Sequence, residues 1–284
     1  MKKKFHTSLL MKNKFHTSLL SLAALAMSIG SANAALLIYE PFDGAAGNLN
    51  GTAGGTGLTG NWSMNNNLQV TTGSKSWGGL ETSGNQTIYS STQPRGGSVS
   101  TGTTLSGGGH LDNGAVLWFS YLAQSVADGR TYVTIGTGAP DGVDRIGGAS
   151  GFGLGARLEN GSVYAHGWDT AALKPAGTTV TAGTVFVVGR ITWGATNLLD
   201  DTLDIFLPGT DLVLPGTAAS TMSHNFDQST FTNLGIGARI ETAGGATVDE
   251  IRFGTSYADI SPIPEPSTAL LGGLGLLALL RRRR

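Results

Sequence analysis

The sequence predicts an all-β fold, a sandwich of short strands connected by turns. Apolar and polar residues alternate over runs such as Gly151 to Leu158, which is typical of strands with one buried face. Glycine accounts for 44 of the 284 residues, and the glycine-rich stretches between these runs are typical of turns. No stretch of helical length between positions 35 and 263 shows the apolar period of an amphipathic helix, so long helices are not expected there.

The predicted strands differ in how completely they should be buried. Val116 to Leu122 is almost continuously apolar and aromatic, which indicates a central strand covered on both faces. Asn160-Gly161 predicts a two-residue hairpin of type I′, because both central residues of that turn need a positive φ. Residues 42–67 and 91–114 are predicted loops, and Trp62 in the first of them is expected to pack on the core. The predicted strands, in chain order, are 36–39, 68–72, 86–90, 116–122, 132–135, 151–158, 163–168, 185–193, 203–207, 234–240 and 248–253.

The first 34 residues have the pattern of a secretory signal peptide. Five lysines precede an apolar stretch from Leu19 to Ile29, and Ala32-Asn33-Ala34 supplies the small residues of a cleavage site. We therefore expect cleavage after Ala34 and export of the chain that follows. The segment MKKKFHTSLL is followed at once by the near copy MKNKFHTSLL, which makes Met11 an alternative start to Met1.

The opposite end of the sequence combines prolines, an apolar run and arginines. Arginine side chains do not cross lipid, so the positive-inside tendency places the upstream chain on the far side of a membrane. The apolar run from Ala269 to Leu280 is shorter than the roughly 20 residues that span a bilayer comfortably. This favours a transient signal over a permanent anchor. The motif residues are Pro264, Glu265 and Pro266, and the membrane stop is Arg281, Arg282, Arg283 and Arg284.

These three parts, in this order, resemble the PEP-CTERM sorting signal of Gram-negative bacteria. The resemblance implies that an exosortase-type enzyme recognises the motif and processes the tail, whose helix would run from Ser267 to Leu280. It also implies an outer-surface or extracellular-matrix protein that is anchored transiently in the inner membrane and associated with exopolysaccharide or biofilm. The predicted organisation is a signal peptide at 1–34, a sandwich domain at 35–260 and a sorting signal at 261–284.

The part between the two signals is acidic. It keeps nine basic against 18 acidic residues, because the other nine basic residues and Glu265 belong to the signals. An acidic surface argues against binding nucleic acid or anionic lipid, both of which call for basic patches. The chain has no cysteine, so its stability must come from a hydrophobic core and not from disulfides.

Three stretches resemble the concanavalin A-like jelly roll of laminin G-type modules and legume-type lectins. They are the opening residues 37–43, the strand pair 187–191 with 201–206, and the closing residues 248–254. The resemblance implies that the first and last strands lie side by side and close a sheet near both termini. It also makes a glycoside hydrolase one of the functions to consider, since several share this fold.

Catalytic patterns are not found in the exported part. The Glu-x-Asp-x-x-Glu pattern of laminarinase-type hydrolases is missing, and adjacent Asp249 and Glu250 are expected on opposite faces of a strand. His110, His166 and His224 stand apart, and each is expected in a loop or at the surface. No Gly-x-Ser-x-Gly elbow or zinc-ligand spacing accompanies them. We therefore expect a protein that is not an enzyme.

Calcium is the one metal that the sequence brings into consideration, and no other cofactor is expected. Ca²⁺ is bound by carboxylate and carbonyl oxygens, which loops at the end of a sandwich offer. Aspartates that form turns explain the same residues equally well. The candidate ligands are Asp141, Asp144, Asp201 and Asp204.

Carbohydrate binding is the alternative function. Trp77 and Trp168 have glycine and polar neighbours and are candidate sugar contacts, whereas Trp118 and Trp193 are expected in the core. A glycoside hydrolase or an ice-binding protein is less favoured, the latter because threonines do not recur at a fixed period. An exposed groove lined by Trp77 or Trp168 would favour a lectin-like module, and a groove floored by paired carboxylates would favour a hydrolase.

Overall fold

A computed structural model of the protein describes residues 35–64, 68–89, 93, 95–125, 128–139, 151–240 and 245–262. Several predicted features lie outside these residues, and the structure does not test them. They are the signal peptide with Ala32 and Ala34, the candidate calcium ligands Asp141 and Asp144, the motif Pro264, Glu265 and Pro266, and the tail helix with its arginines.

Within the described residues the protein is built almost entirely of strands. One 3-10 turn (Gln228–Thr230) and one four-residue helix, α1 (Tyr257–Ile260), accompany them. The strands are β1 (Leu36–Glu40), β2 (Gly47–Asn48), β3 (Thr59–Met64), β4 (Gln69–Thr72), β5 (Asn85–Ile88), β6 (Arg95–Ser100), β7 (Val116–Ser125), β8 (Gly129–Gly136), β9 (Gly153–Glu159), β10 (Ser162–Trp168), β11 (Ala172–Leu173), β12 (Thr178–Thr179), β13 (Gly183–Thr192), β14 (Asp201–Phe206), β15 (Ser220–His224), β16 (Asn233–Ile240) and β17 (Val248–Gly254).

The strands form two large sheets and one small sheet. The six-stranded sheet has the order β1-β17-β7-β13-β14-β15, and the eight-stranded sheet has the order β11-β10-β9-β8-β16-β6-β3, with β12 also paired to β10. Strands β2, β4 and β5 form the third sheet. The pairing is antiparallel throughout the two large sheets, for example between β7 and β13 and between β8 and β9. The predicted jelly-roll β-sandwich is confirmed.

The first and last strands close the six-stranded sheet, as predicted. Strand β1 pairs antiparallel with β17, so that Leu36 lies opposite Gly254 and Tyr39 lies opposite Arg252. This pairing brings residues about 215 positions apart into one ladder, and it places the ends of the domain beside each other.

The main core lies between the two large sheets. Strand β7 contributes Leu117, Phe119 and Tyr121 to it, and each of them is at most 1% exposed. The opposite face of β7 presents Trp118 and Leu122 to a second apolar cluster on the outer face of the same sheet. Both faces of β7 are thus covered, as the almost continuous apolar run from Val116 to Leu122 predicted for a central strand.

We call this second apolar cluster the outer cluster. It explains why two tryptophans differ in burial. Trp193 is 1% exposed in the main core. Trp118 is half-buried and stacks on Phe206 in the outer cluster, with ring centroids 6.2 Å apart. The loop residues that cover this cluster include Leu80 and Leu212.

The hairpin between β9 and β10 has the predicted geometry. Asn160 and Gly161 have φ angles of 47° and 69°, which are the left-handed values that a type I′ turn requires. The turn sets the register, since Glu159 lies opposite Ser162.

Three strands of more than two residues lie where loops were predicted or where no element was expected: β3, β6 and β15. The two-residue strands β2, β11 and β12 were not predicted either. Strand β6 contains Gly96 and Gly97, which indicated a loop from the sequence. It lies between β16 and β3, and a Cβ at Gly97 would come within 2.7 Å of the backbone oxygen of Ser63 on β3, besides meeting the Met64 side chain. Glycine is therefore required here for close packing, a reason that local sequence does not reveal.

Candidate functional site

The candidate site begins at an irregularity in β17. The register between β17 and β7 shifts between Asp249 and Arg252, and Glu250 has a φ of 54°. One extra residue in a strand forms a β-bulge, which turns a side chain away from the face that alternation assigns to it. Asp249 and Glu250 therefore both contact the Ser74 hydroxyl, at 2.8 and 3.0 Å. The prediction that these carboxylates lie on opposite faces is wrong, because alternation does not continue through a bulge.

Both carboxylates are completely buried, and each is satisfied by hydrogen bonds. Asp249 accepts hydrogen bonds from the backbone N–H of Lys75 (2.6 Å) and of Glu250 (2.8 Å). Glu250 accepts from the backbone N–H of Ser83 (2.6 Å) and from the Tyr39 hydroxyl (2.9 Å). The Arg252 guanidinium forms an ion pair with Glu250 at 2.5 Å, which supplies the positive charge that a buried carboxylate needs.

The two contacts of the Ser74 hydroxyl require that one of the two carboxyl groups carries a proton. A hydroxyl has one hydrogen to donate, so only one of the two carboxylates accepts from Ser74. The second contact is satisfied when the other carboxyl is protonated and donates to Ser74. Burial raises the pKa of Asp249 to about 7, and the neighbouring charge of Glu250 acts in the same direction. Asp249 is therefore the group that holds the additional proton below about pH 7.

These contacts hold one loop in place, residues 74–83, which we call the Trp77 loop. Ser74 and Lys75 bind Asp249 at its start, and Ser83 binds Glu250 at its end. Between them the carbonyl of Glu81 accepts from Arg252 at 2.6 Å, and its N–H donates to the carbonyl of Pro262 at 2.9 Å. The bulge thus fixes a loop that has no regular secondary structure of its own.

Trp77 lies in the middle of this loop and lines an open groove. The indole Nε1 donates to the carbonyl of Gly209 at 3.1 Å, and the side chain is half-buried against the outer cluster. Gly78 has a φ of 51°, and a Cβ there would collide with the backbone of Thr210. The loop therefore packs directly on the chain that follows β14. The groove has a volume of about 650 Å³.

The lining of this Trp77 groove is apolar at the base and hydroxyl-rich at the sides. Val185, Phe186 and Pro208 are buried, whereas Ser76 and several threonines are more exposed. None of the described residues that line it is charged. The residues that line it are Ser76, Trp77, Gly78, Thr179, Val180, Thr181, Ala182, Gly183, Thr184, Val185, Phe186, Leu207, Pro208, Gly209 and Thr210.

Trp168, the second tryptophan singled out from the sequence, lies elsewhere. It is half-buried at the end of β10, opposite Gly153 on β9, and it belongs to the outer face of the eight-stranded sheet. The structure does not bring Trp77 and Trp168 together, so the two do not form one binding platform.

The outer face of the eight-stranded sheet also carries a polar cluster that sequence reasoning missed. The rings of Tyr132 and His166 have centroids 5.4 Å apart, and the Arg157 guanidinium carbon lies 5.0 Å from the Tyr132 ring centroid. These three side chains are at most 2% exposed. The prediction that His166 lies in a loop or at the surface is wrong. The alternation of β10, with Val163 and Ala165 in the core, could have placed His166 on the other face of a strand.

Glu159 lies beside this cluster and is surrounded by cations. It forms ion pairs with Arg130 (3.0 Å), Arg157 (2.5 Å) and Lys174. Burial acts to raise the pKa of Glu159, but the hydrogen bond from Lys174 and the two arginines outweigh it and hold the pKa below its usual value. The cluster is a buried ionic network, and its imidazole and phenol have almost no surface from which to reach a polymer.

The candidate calcium ligands that the structure describes are not brought together. Asp201 is 4% exposed and accepts from the N–H groups of Gly194 and Phe226, both at 2.8 Å. Asp204 lies on the other face of β14, where it pairs with Arg190 at 2.7 Å. Among the described residues, no three acidic, histidine or cysteine side chains are placed to hold a metal ion. Calcium binding at Asp141 and Asp144 stays a prediction.

Comparison with known protein families identifies a motif in the last residues of the sequence. Residues 262–284 match the model of the PEP-CTERM protein-sorting motif. The chain carries a PEP-CTERM sorting signal. The predicted recognition of this tail is confirmed, and the PEP-CTERM signal implies export and membrane-associated sorting in bacteria with processing by an exosortase. In the described residues, no helix has the length and apolar character that crossing a membrane requires.

The fold of the chain was also compared with solved structures. The chain is similar to an endo-β-1,4-glucuronan lyase from the fungus Trichoderma reesei, with 14% identity and a TM-score of 0.45 over 80% of this chain and 99% of that chain. It is similar to the globular domain of T. cruzi calreticulin, with 9% identity and a TM-score of 0.45 over 88% of this chain and 100% of that chain. The carbohydrate recognition domain of Emp46p, in its metal-free form, has 12% identity and a TM-score of 0.39 over 68% of this chain and 87% of that chain. No curated protein sequence matches the chain.

Proposed function

We propose that this PEP-CTERM protein is an exported, non-enzymatic protein that binds a neutral polysaccharide in the Trp77 groove. The observation that carries the proposal is an open groove of about 650 Å³ with a half-buried tryptophan and no charged side chain in its lining. An exposed groove lined by Trp77 is the feature that was expected, from the sequence, to favour a lectin-like carbohydrate-binding module.

The chemistry of the groove suits an uncharged sugar chain. An indole offers a large apolar surface on which the C–H face of a sugar ring packs, and its N–H is already engaged with Gly209. Threonine and serine hydroxyls both donate and accept hydrogen bonds, which matches the hydroxyls of a sugar. Mostly apolar linings with a few polar groups are typical of ligand grooves. An acidic or basic polymer would find no opposite charge in the lining.

The absence of enzymatic activity is part of the proposal. A glycoside hydrolase needs two carboxyl groups on either side of the bond that it cleaves, and no carboxylate is among the residues that line the groove. The paired carboxylates Asp249 and Glu250 are instead buried beneath the Trp77 loop and saturated by its hydrogen bonds. They position the loop and do not face the groove.

The cellular setting follows from the sorting signal. We place the protein at the outer surface or in the extracellular matrix of a Gram-negative bacterium, after transient anchoring of its tail in the inner membrane. Its ligand would then be an exopolysaccharide of the matrix or biofilm. The exosortase-type enzyme is its processing partner.

Titration calorimetry with neutral polysaccharides, such as a β-glucan, a mannan and dextran, and with acidic alginate tests the proposal. Trp77→Ala should weaken binding of the neutral ligand at least tenfold, which corresponds to about 1.4 kcal/mol. Trp168→Ala is the matched control and should leave the affinity unchanged. Because Trp77 also packs on the outer cluster, thermal unfolding must show that the variant is folded.

Two results would contradict the proposal. Equal affinities of the wild type and Trp77→Ala for every ligand would exclude the groove. Release of new reducing ends or of unsaturated sugars from any polymer of the panel would show that the protein is an enzyme.

A further inference from the structure

A second open depression lies at the far end of the same sheet. It is lined by loop residues that precede β7, follow β13 and follow β15, whereas the Trp77 groove lies where β13 begins and β14 ends. Its volume is about 660 Å³. We call it the amide depression. Its lining consists of Leu111, Asp112, Asn113, Asn197, Asn225, Phe226, Asp227, Gln228 and Ser229.

The amide depression has an apolar base and a polar rim. Leu111 and Phe226 are 5% and 4% exposed and form the base. The amides of Asn113, Asn197 and Asn225 are exposed at the rim. An apolar base beneath polar groups is the arrangement expected for a ligand with one apolar face and polar edges.

The rim amides are already ordered by contacts with each other. Gln228 Nε2 donates to Asn113 Oδ1 at 2.9 Å, and Asn113 Nδ2 donates to Asn197 Oδ1 at 2.5 Å. Asn225 Nδ2 donates to the carbonyl of Asn197 at 2.7 Å. Ordering before binding lowers the entropy that a ligand must offset. Each amide has two N–H groups and a carbonyl with two lone pairs, so every one of them keeps hydrogen-bonding capacity for a ligand.

The donors and acceptors of the rim match a sugar. Neighbouring hydroxyls of a sugar each donate and accept, and side-chain amides offer both functions close together. Asp112 and Asp227 add two acceptors and a negative charge, and no basic residue lines the depression. An anionic sugar such as a uronate is therefore disfavoured, and an uncharged polyhydroxyl ligand is favoured.

We infer that the amide depression is a second carbohydrate site, so that one protein molecule holds two polysaccharide chains at opposite ends of the sandwich. The cross-linking part of this inference rests on the proposed function of the Trp77 groove. Strand β13 separates the two sites, and its ten residues extend over about 30 Å at a rise of roughly 3.3 Å per residue. At this distance two polymer chains bind without contact, and the protein connects them.

The test compares binding stoichiometry with agglutination of polysaccharide-coated beads by the purified protein. The double variant Asn197→Ala/Asn225→Ala should retain one oligosaccharide site per chain instead of two and should not agglutinate the beads. Trp77→Ala should lose the site in the Trp77 groove, retain the site in the amide depression and fail to agglutinate the beads. The variant that combines all three substitutions should not bind oligosaccharide. Leu198→Ala is the matched control, because Leu198 is 89% exposed on the same loop but does not line the depression.

The outcomes separate this inference from the proposed function. A single site in the wild type, or a double variant that keeps both sites and still agglutinates, would overturn the second site. If Trp77→Ala abolishes all binding, the second site is excluded and the Trp77 groove stands. If Trp77→Ala binds normally and the double variant does not, the proposed groove is excluded and the amide depression stands.

Discussion

At the scale of single residues, the chemistry of this protein depends on the hydroxyl of Ser74. It lies within 3.0 Å of two buried carboxylates, and the proton held by Asp249 allows both contacts to be made at once. The groups around Asp249 are Glu250, Lys75 and Ser74, and Arg252 neutralises Glu250. Burial lowers the pKa of Lys75, and the charge that Asp249 carries above about pH 7 partly opposes this effect.

The raised pKa of Asp249 predicts a pH-dependent stability. Burial raises this pKa from 3.8 to about 7, so the folded state holds the proton more tightly than the unfolded state. This contribution is fully present below about pH 4 and is lost as the pH rises through about 7. Asp249→Asn removes the titrating group, and the variant should lose less stability than the wild type between pH 5 and pH 8, by on the order of 2 kcal/mol. Urea unfolding at both pH values measures the difference.

The control for this experiment is the wild-type protein, unfolded in urea at the same two pH values to give its own pH dependence. If Asp249→Asn shows that same pH dependence, the inference of a shared proton at Ser74 is wrong.

At the scale of elements, the bulge in β17 and the Trp77 loop act together. A regular strand would place only one of the two carboxylates under the loop, because successive side chains of a strand point to opposite faces. The bulge places both there, and each binds one end of the loop. The loop in turn packs on the segment after β14 through Gly78.

Gly78→Ala is predicted to weaken polysaccharide binding without unfolding the protein. The new Cβ would collide with the backbone of Thr210, and alanine disfavours the φ of 51° at this position. The loop should shift away from the groove, and affinity should fall several-fold while the unfolding temperature falls by only a few degrees, as for a local strain of about 1 kcal/mol. Calorimetric titration and thermal unfolding measure the two effects.

Gly79→Ala is the matched control, because a Cβ at Gly79 meets no atom within 4 Å. It should bind as the wild type does. Equal affinities for the Gly78 and Gly79 variants would show that the position of the loop does not determine binding.

At the scale of the whole molecule, the acidic sandwich and the sorting signal serve different steps. The signal implies export and processing of the tail, and the sandwich carries the two open depressions. Mass spectrometry of the mature protein from cells is expected to find no peptide that contains Arg281 to Arg284. Recovery of that peptide from the mature protein would show that the tail is retained, which would favour a permanent anchor.

Much of the fold could be predicted from local sequence. The almost continuous apolar run of β7 indicated a strand covered on both faces, and Asn160-Gly161 indicated the hairpin between β9 and β10. In both cases neighbouring residues determine the result. Strand β6 was missed because Gly96 and Gly97 appear unsuited to a strand. The place of Gly97 depends on Ser63 and Met64, which lie more than 30 residues earlier in the sequence and come into contact with it only after folding.

The candidate site was predicted only in part. Trp77 was singled out from its polar surroundings, but the residues that complete its groove come from 179–186 and 207–210. The pairing of β1 with β17 was expected, whereas the bulge within β17 was not. A bulge depends on the register of two strands and not on the residues at the bulge alone.

The sequence by itself predicted that the protein is exported, that the part between its two signals is an acidic β-sandwich without disulfides and that its end is a sorting signal. These properties follow from composition, alternation and a contiguous motif, all of which are local. Only the tertiary structure decided which carboxylates meet at Ser74, that the loop they hold carries Trp77, and where the two open depressions lie. Those features join residues as much as 176 positions apart, and such distances in the chain become contacts only when the sheets pack.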